Sequence, residues 1–167
     1  MNPTDNPFAV LTLIAAPAVL TNASTVLVMS TSNRLARTLD RARFLTQHLD
    51  QGRDELETDA MHLRELRTAQ SRVVLLVRAL QAFYTALGGF ASAAMVSLLG
   101  AILVTYTSGM ALRVTEILAV VVGFAGVGNL VFGSVLLIRE TRIALTSLRE
   151  QSDYVREKVE HRLEARA

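Results

Sequence analysis

Charge is missing from three long stretches of this chain, and that restricts the folds open to it more than any other feature. No Asp, Glu, Lys or Arg stands between Asp5 and Arg34, between Arg78 and Arg113, or between Glu116 and Arg139, leaving runs of 28, 34 and 22 uncharged residues. A helix of a soluble protein buries one stripe and keeps charge on the opposite face. Here every face loses its charge together. A hydrocarbon core of roughly 30 Å takes about 20 apolar residues as helix, so each run is long enough to span a bilayer. The expected fold class is all-α: an integral membrane protein with three transmembrane helices and long helical cytoplasmic extensions. The spans are expected over about 8–32, 79–106 and 117–138, within a single membrane domain covering 1–167. The first run is read as a retained span. Met1 to Pro7 carries Asp5 and no basic side chain, whereas a cleavable signal sets basic residues before a core of about 7–15 apolar ones.

The basic residues orient the spans. Nine arginines lie from Arg34 to Arg78, seven Lys or Arg from Arg139 to Arg166, and Arg113 alone lies between the second and third runs. Short cytoplasmic loops retain Lys and Arg. The N-terminus is therefore expected outside, with a helical hairpin over 33–78 and a C-terminal helix over 139–167 in the cytoplasm. The pI near 9.5 then reflects topology. Nucleic acid is not an expected partner, because basic positions alternate with acidic ones and lack interleaved aromatics. Cysteine is absent, which excludes disulfides, thiolate metal sites and thiol nucleophiles.

The first helix is expected to open at Phe8, kink at Pro17 and run on to about Leu49. Asp50-Gln51-Gly52-Arg53 reads as a turn. A second helix returns from about Asp54 to Tyr106, Thr107-Ser108-Gly109 makes an outer turn, and a third helix crosses from Ile117 and continues to Arg166. Seven of the nine glycines fall in the second and third spans, where small residues let helices approach closely. Ala82, Ala86, Gly89, Ala93, Ser97 and Gly100 share one face, and Ala119, Gly123, Gly126 and Gly133 another. Three apolar stripes are expected to pack the cytoplasmic helices: Leu35, Leu39, Ala42 and Leu49; Leu56, Leu63, Leu66 and Val73; and a broken, heptad-like Leu145, Leu148, Val155 and Val159.

Pro17-Ala18-Val19-Leu20, Ser32-Asn33-Arg34-Leu35-Ala36-Arg37, Asp40-Arg41-Ala42-Arg43 and Leu45 together resemble the DUF2721 family. The resemblance implies a small multi-span protein of the bacterial inner membrane and brings no assigned chemistry with it.

Two groups of residues stand out as candidate sites. Thr21, Asn22, Thr25, Met29, Ser32 and Asn33 fall within about 120° on the first helix, continued by Ala15 and Ala18. They either line a pore, with amide and hydroxyl groups replacing part of an ion's hydration shell, or form a helix–helix interface through hydrogen bonds. Arg34, Arg37 and Arg41, with His48, share a face just beyond the first span. They either bind an anionic lipid or another anionic ligand, or anchor the topology through ion pairs with neighbouring helices. Asp40 is expected to pair with Arg37 or Arg43. Glu55, Asp59 and His62 have the spacing of a weak cation site, but carboxylates near a helix start also complement its dipole, and no metal or other cofactor is expected.

No nucleophile–base pairing or phosphate-binding glycine loop is visible, so no catalytic residue is assigned and the chain is not expected to be an enzyme. The spans hold no ionisable residue, which disfavours a proton- or sodium-coupled transporter. The leading expectation is a homo-oligomeric ion channel or small-solute pore lined by the first helix. The alternative is a non-catalytic scaffold or regulatory subunit whose cytoplasmic helices bind a partner protein or anionic lipid. Membrane lipid, further copies of the chain and a cytoplasmic protein are the expected partners.

Overall fold

In the computed structural model, which describes residues 7–51, 56–103 and 109–164, each helix joins an uncharged stretch to the charged stretch beside it without a break. Helix α1 spans Pro7–Gln51, α2 Leu56–Leu103 and α3 Gly109–Glu164, and no strand occurs among the described residues. Side chains are described throughout 18–50, 60–100 and 117–150. Pro7 sits at the first position of α1, where its fixed φ fits and its missing N–H would have had no helical partner. The helix continues through Pro17. The third helix starts at Gly109, about two turns before the expected Ile117. The expected turns at Gly52 and at Thr107-Ser108 lie outside the described residues.

A seven-residue period sets the inner face of every helix. Buried positions in α1 are Ser24, Thr31, Thr38 and Leu45; α2 has Ala69, Leu76, Phe83 and Phe90, with Ala79, Ala86 and Ala93 in a second column. In α3 the series is Gly126, Gly133 and Glu140. Contacts every seven residues are the spacing of knobs-into-holes packing. The side chains in these columns are mostly small, which brings helix backbones close.

The chain divides into two compact units, residues 1–32 with 78–134 and residues 33–77 with 135–167. In the first unit α2 supplies rings and α3 the space for them. A Cβ at Gly133 would lie 2.6 Å from Phe83 Cε1, and one at Gly126 would lie 2.8 Å from Phe90 Cε1. One number rises by seven as the other falls by seven, so α2 and α3 run antiparallel here. Gly89 meets the Gly126 backbone, and Gly100 faces the Thr115 methyl. The small-residue face expected on α2 is therefore in contact at Ala82, Ala86, Gly89, Ala93 and Gly100. On α3 only part of the expected seam is used: Gly126 and Gly133 are filled, whereas nothing lies within 4 Å of a Cβ at Gly123. α1 adds Ser24 and Thr31, whose hydroxyls donate to the carbonyls of Leu20 and Leu27 at 2.8 and 2.7 Å. That local bond lets a hydroxyl be buried without an unmet donor.

The second unit has a thin apolar core of Leu45, Ala69, Leu76 and Leu136 around the buried Thr38 and Glu140. Two expected stripes are corrected. Leu145 and Leu148 are exposed, as is Leu63. The inward positions on α3 continue the heptad from Gly133 through Glu140 to the half-buried Ser147. Leu145 lies roughly 200° around the helix from Ser147 and so points away. On α2 the inner column is Ala69 and Leu76 in place of Leu63.

Among the described residues, Ala60–Gly100 and Arg113–Tyr154 each hold a stretch long and apolar enough to cross a membrane, with mean hydropathy of 1.6 and 2.1. Two such segments thus occur among the described residues, where the uncharged runs predict three; most of the first run before residue 18 lies outside the described side chains.

Candidate functional sites: an outward polar face and an arginine cleft

α1 has two polar faces. The buried one is Ser24 and Thr31, which lines the core of the first unit. Asn22 lies two positions from Ser24, roughly 200° around the helix, and it is exposed together with Ala15, Ala18, Thr25, Met29 and Asn33. Thr21 and Ser32 sit on the flank of this stripe and are half-buried. Asn22, Thr25 and Met29 thus occupy the outer side of the first unit, Thr21 and Ser32 are partly covered, and Asn33 is the first residue of the second unit. Their hydrogen bonding differs. Thr25 donates to the Thr21 carbonyl at 2.9 Å. Asn129 on α3 likewise satisfies its amide locally, on the Ala125 carbonyl at 2.9 Å. The Asn22 amide has no hydrogen-bond partner among the described residues.

The arginines gather in the second unit. Glu140 is 2% exposed and is shared between two helices: Arg72 Nε donates to its Oε1 at 2.8 Å, and Arg34 Nη1 lies 3.4 Å from its Oε2. Burying a carboxylate unpaired is very costly, and two guanidiniums offset that cost here. Arg34 Nη1 also donates to Thr141 Oγ1 at 3.1 Å, and that hydroxyl in turn donates to the Leu137 carbonyl. Arg41 Nε donates to Glu65 Oε1 at 2.7 Å and its guanidinium lies over the Phe44 ring. The other Glu65 oxygen is buried and accepts no hydrogen bond among the described residues. Arg37 directs its Nε to the Asn33 carbonyl at 3.3 Å and pairs with no carboxylate among the described residues. Asp40 pairs with Arg43, at 3.6 Å, and both stay in solvent.

These residues line a cleft of about 370 Å³ that contains Arg34, Arg37, Arg41 and Arg72 with Glu65 and Glu140. Four guanidiniums face two carboxylates, an excess of two positive charges. His48, on the same face of α1 by sequence, does not line the cleft; its ring stacks on Phe44 and meets His62 edge-on at 6.2 Å. The sequence pattern brought Arg34, Arg37 and Arg41 together but missed Arg72, Glu65 and Glu140. A signal for Glu140 existed: it is seven residues after Gly133 and fourteen after Gly126, on the inner column of α3. Of the acidic group expected near the start of α2, Glu55 and the Asp59 side chain lie outside the described residues. No cluster of three metal-ligating side chains occurs among the described ones.

A family model described as a protein of unknown function, DUF2721, matches residues 14–150. The chain belongs to the DUF2721 family. The match runs through all three helices, beyond the α1 residues that carried the resemblance, and takes in both the outward face of α1 and every charged residue of the cleft. No curated protein and no solved structure matches this DUF2721 chain.

Proposed function

We propose that this DUF2721 protein is a homo-oligomer of the bacterial inner membrane whose copies surround an ion-conducting or small-solute pore lined by α1. The N-terminus is outside and the C-terminus cytoplasmic, with three membrane crossings per copy. The observation that carries this reading is the Asn22 amide, exposed on the outer pole of α1 without a partner. In hydrocarbon an unpaired amide costs several kcal/mol, so the face it occupies is covered by another copy or by water. A pore built of several copies provides both. The membrane setting is supported by the apolar surface the first unit leaves uncovered: Phe124 is 75% and Ile117 63% exposed. Only 17% of the most apolar stretch of α3 is buried, where a soluble core helix would be mostly covered. Three helices are too few to enclose a channel, so on this reading conduction requires assembly.

The test is ion flux across vesicles containing the purified protein, over a range of salt and voltage, with Asn22→Leu as the comparison. Flux that Asn22→Leu reduces at unchanged assembly supports the pore. Silent vesicles remove it.

A second reading rests on Leu145 and Leu148, which stand exposed within the charge-rich unit. They suit a scaffold whose C-terminal helix docks a cytoplasmic protein. Stoichiometric co-purification of one partner, lost in a Leu145→Asp/Leu148→Asp variant, would favour that reading over the pore.

A further inference from the structure

From the arginine cleft we infer a binding site for a phosphate-bearing anion, independent of the pore reading. Internal pairing leaves the cleft under-neutralised in a specific way. Glu140 serves both Arg34 and Arg72, Glu65 serves Arg41, and Arg37 has no carboxylate among the described residues. The uncompensated charge is thus centred on Arg37 and on the guanidinium edges that Glu140 does not saturate. Guanidiniums present several N–H donors in a planar fork that fits the oxygens of a phosphate. The Ser147 hydroxyl lines the same cleft and makes no hydrogen bond among the described residues, unlike the Thr38, Thr68 and Thr141 hydroxyls, which donate to backbone carbonyls. It supplies a neutral donor beside the charged ones. A tetrahedral phosphate monoester or diester, carrying one to two negative charges, matches both the charge excess and the donor set. A volume of about 370 Å³ accommodates a headgroup-sized ligand.

Two sources share this chemistry: a phospholipid headgroup and a soluble phosphate. Arg34 follows the first uncharged run directly, and Glu140 comes two residues after the third ends, so the cleft begins, by sequence, where the apolar stretches stop. That position favours the lipid.

The experiment uses the full chain, delipidated in detergent, titrated calorimetrically with short-chain phosphatidylglycerol, with inorganic phosphate, and with an uncharged glycerolipid of equal chain length. Saturable binding of phosphatidylglycerol without binding of phosphate identifies a headgroup site. Binding of phosphate alone identifies a soluble ligand. Arg37→Gln is expected to weaken whichever binds by about tenfold, the loss of one charge-assisted hydrogen bond, and Ser147→Ala by a smaller factor. Arg37 forms no ion pair among the described residues, so its variant is expected to melt as the parent does; a lowered melting point would pass the test to Ser147→Ala. No binding by either phosphate probe overturns the site. So does equal binding of the uncharged lipid, or an affinity that neither substitution changes.

Discussion

Glu140 is the residue on which the second unit turns. It is almost fully buried, yet it is held by guanidiniums that keep some contact with solvent, Arg34 at 44% and Arg72 at 29% exposed. Removing one partner of a buried pair typically costs about 3–5 kcal/mol; with both guanidiniums able to rehydrate, Glu140→Gln is expected to cost ~2 kcal/mol. Thermal unfolding in detergent checks this, and an unchanged midpoint would show that the pair contributes nothing. The glycines of α3 give a second test at this scale. Gly133→Ala puts a methyl into the Phe83 ring, and overpacking of this kind costs about 1–3 kcal/mol. Gly128 has open space around it, so Gly128→Ala is expected to be neutral or to stabilise by up to ~1 kcal/mol through helix propensity. Equal effects at the two positions would contradict the ring-and-socket packing.

At the scale of the helices, the heptad column of α1 makes a claim that side-chain polarity alone would reverse. Thr31 is fully buried but satisfied by the Leu27 carbonyl. Thr31→Val keeps the shape and leaves no orphaned group, so it is expected to change stability by less than about 1 kcal/mol. Thr31→Leu is expected to destabilise by ~1–3 kcal/mol, because the column has no room for it. The same midpoint measurement separates the two. This column also shows what was legible in the sequence. Charge-free runs marked three helices, since the absence of charge needs no knowledge of neighbours, and the turn residues around Gly52 and Gly109 marked where one helix gives way to the next. The outer stripe around Asn22 was visible as a group, but a helical wheel shows which residues share a face, not which face meets another helix. With Ser24 and Thr31 on one side and Asn22 and Thr25 on the other, both poles of α1 are polar. The seven-residue step from Ser24 to Leu45 decides between them. Leu145 and Leu148 misled for the opposite reason: hydrophobicity suggested an inner stripe where the heptad from Gly126 places Glu140 and Ser147.

For the whole molecule, the two polar systems have different roles. The arginine cleft is largely paired within one copy, and its excess charge calls for a small anion. On the outer face of α1 the Thr25 hydroxyl is satisfied locally, but the Asn22 amide has no partner among the described residues and on the proposed reading calls for water or another chain. Because the chain has no cysteine, a single introduced thiol reports on its surroundings without background. The most direct measurement is therefore the reaction of Asn22→Cys, in sealed vesicles, with a charged, membrane-impermeant thiol reagent while ion flux is recorded, with Ser24→Cys as the buried control. The expected result is rapid modification at position 22, slow modification at 24, and a fall in flux as the reaction proceeds. A thiol at position 22 that resists the charged reagent but reacts with a lipid-soluble one would place this face in lipid and contradict the pore.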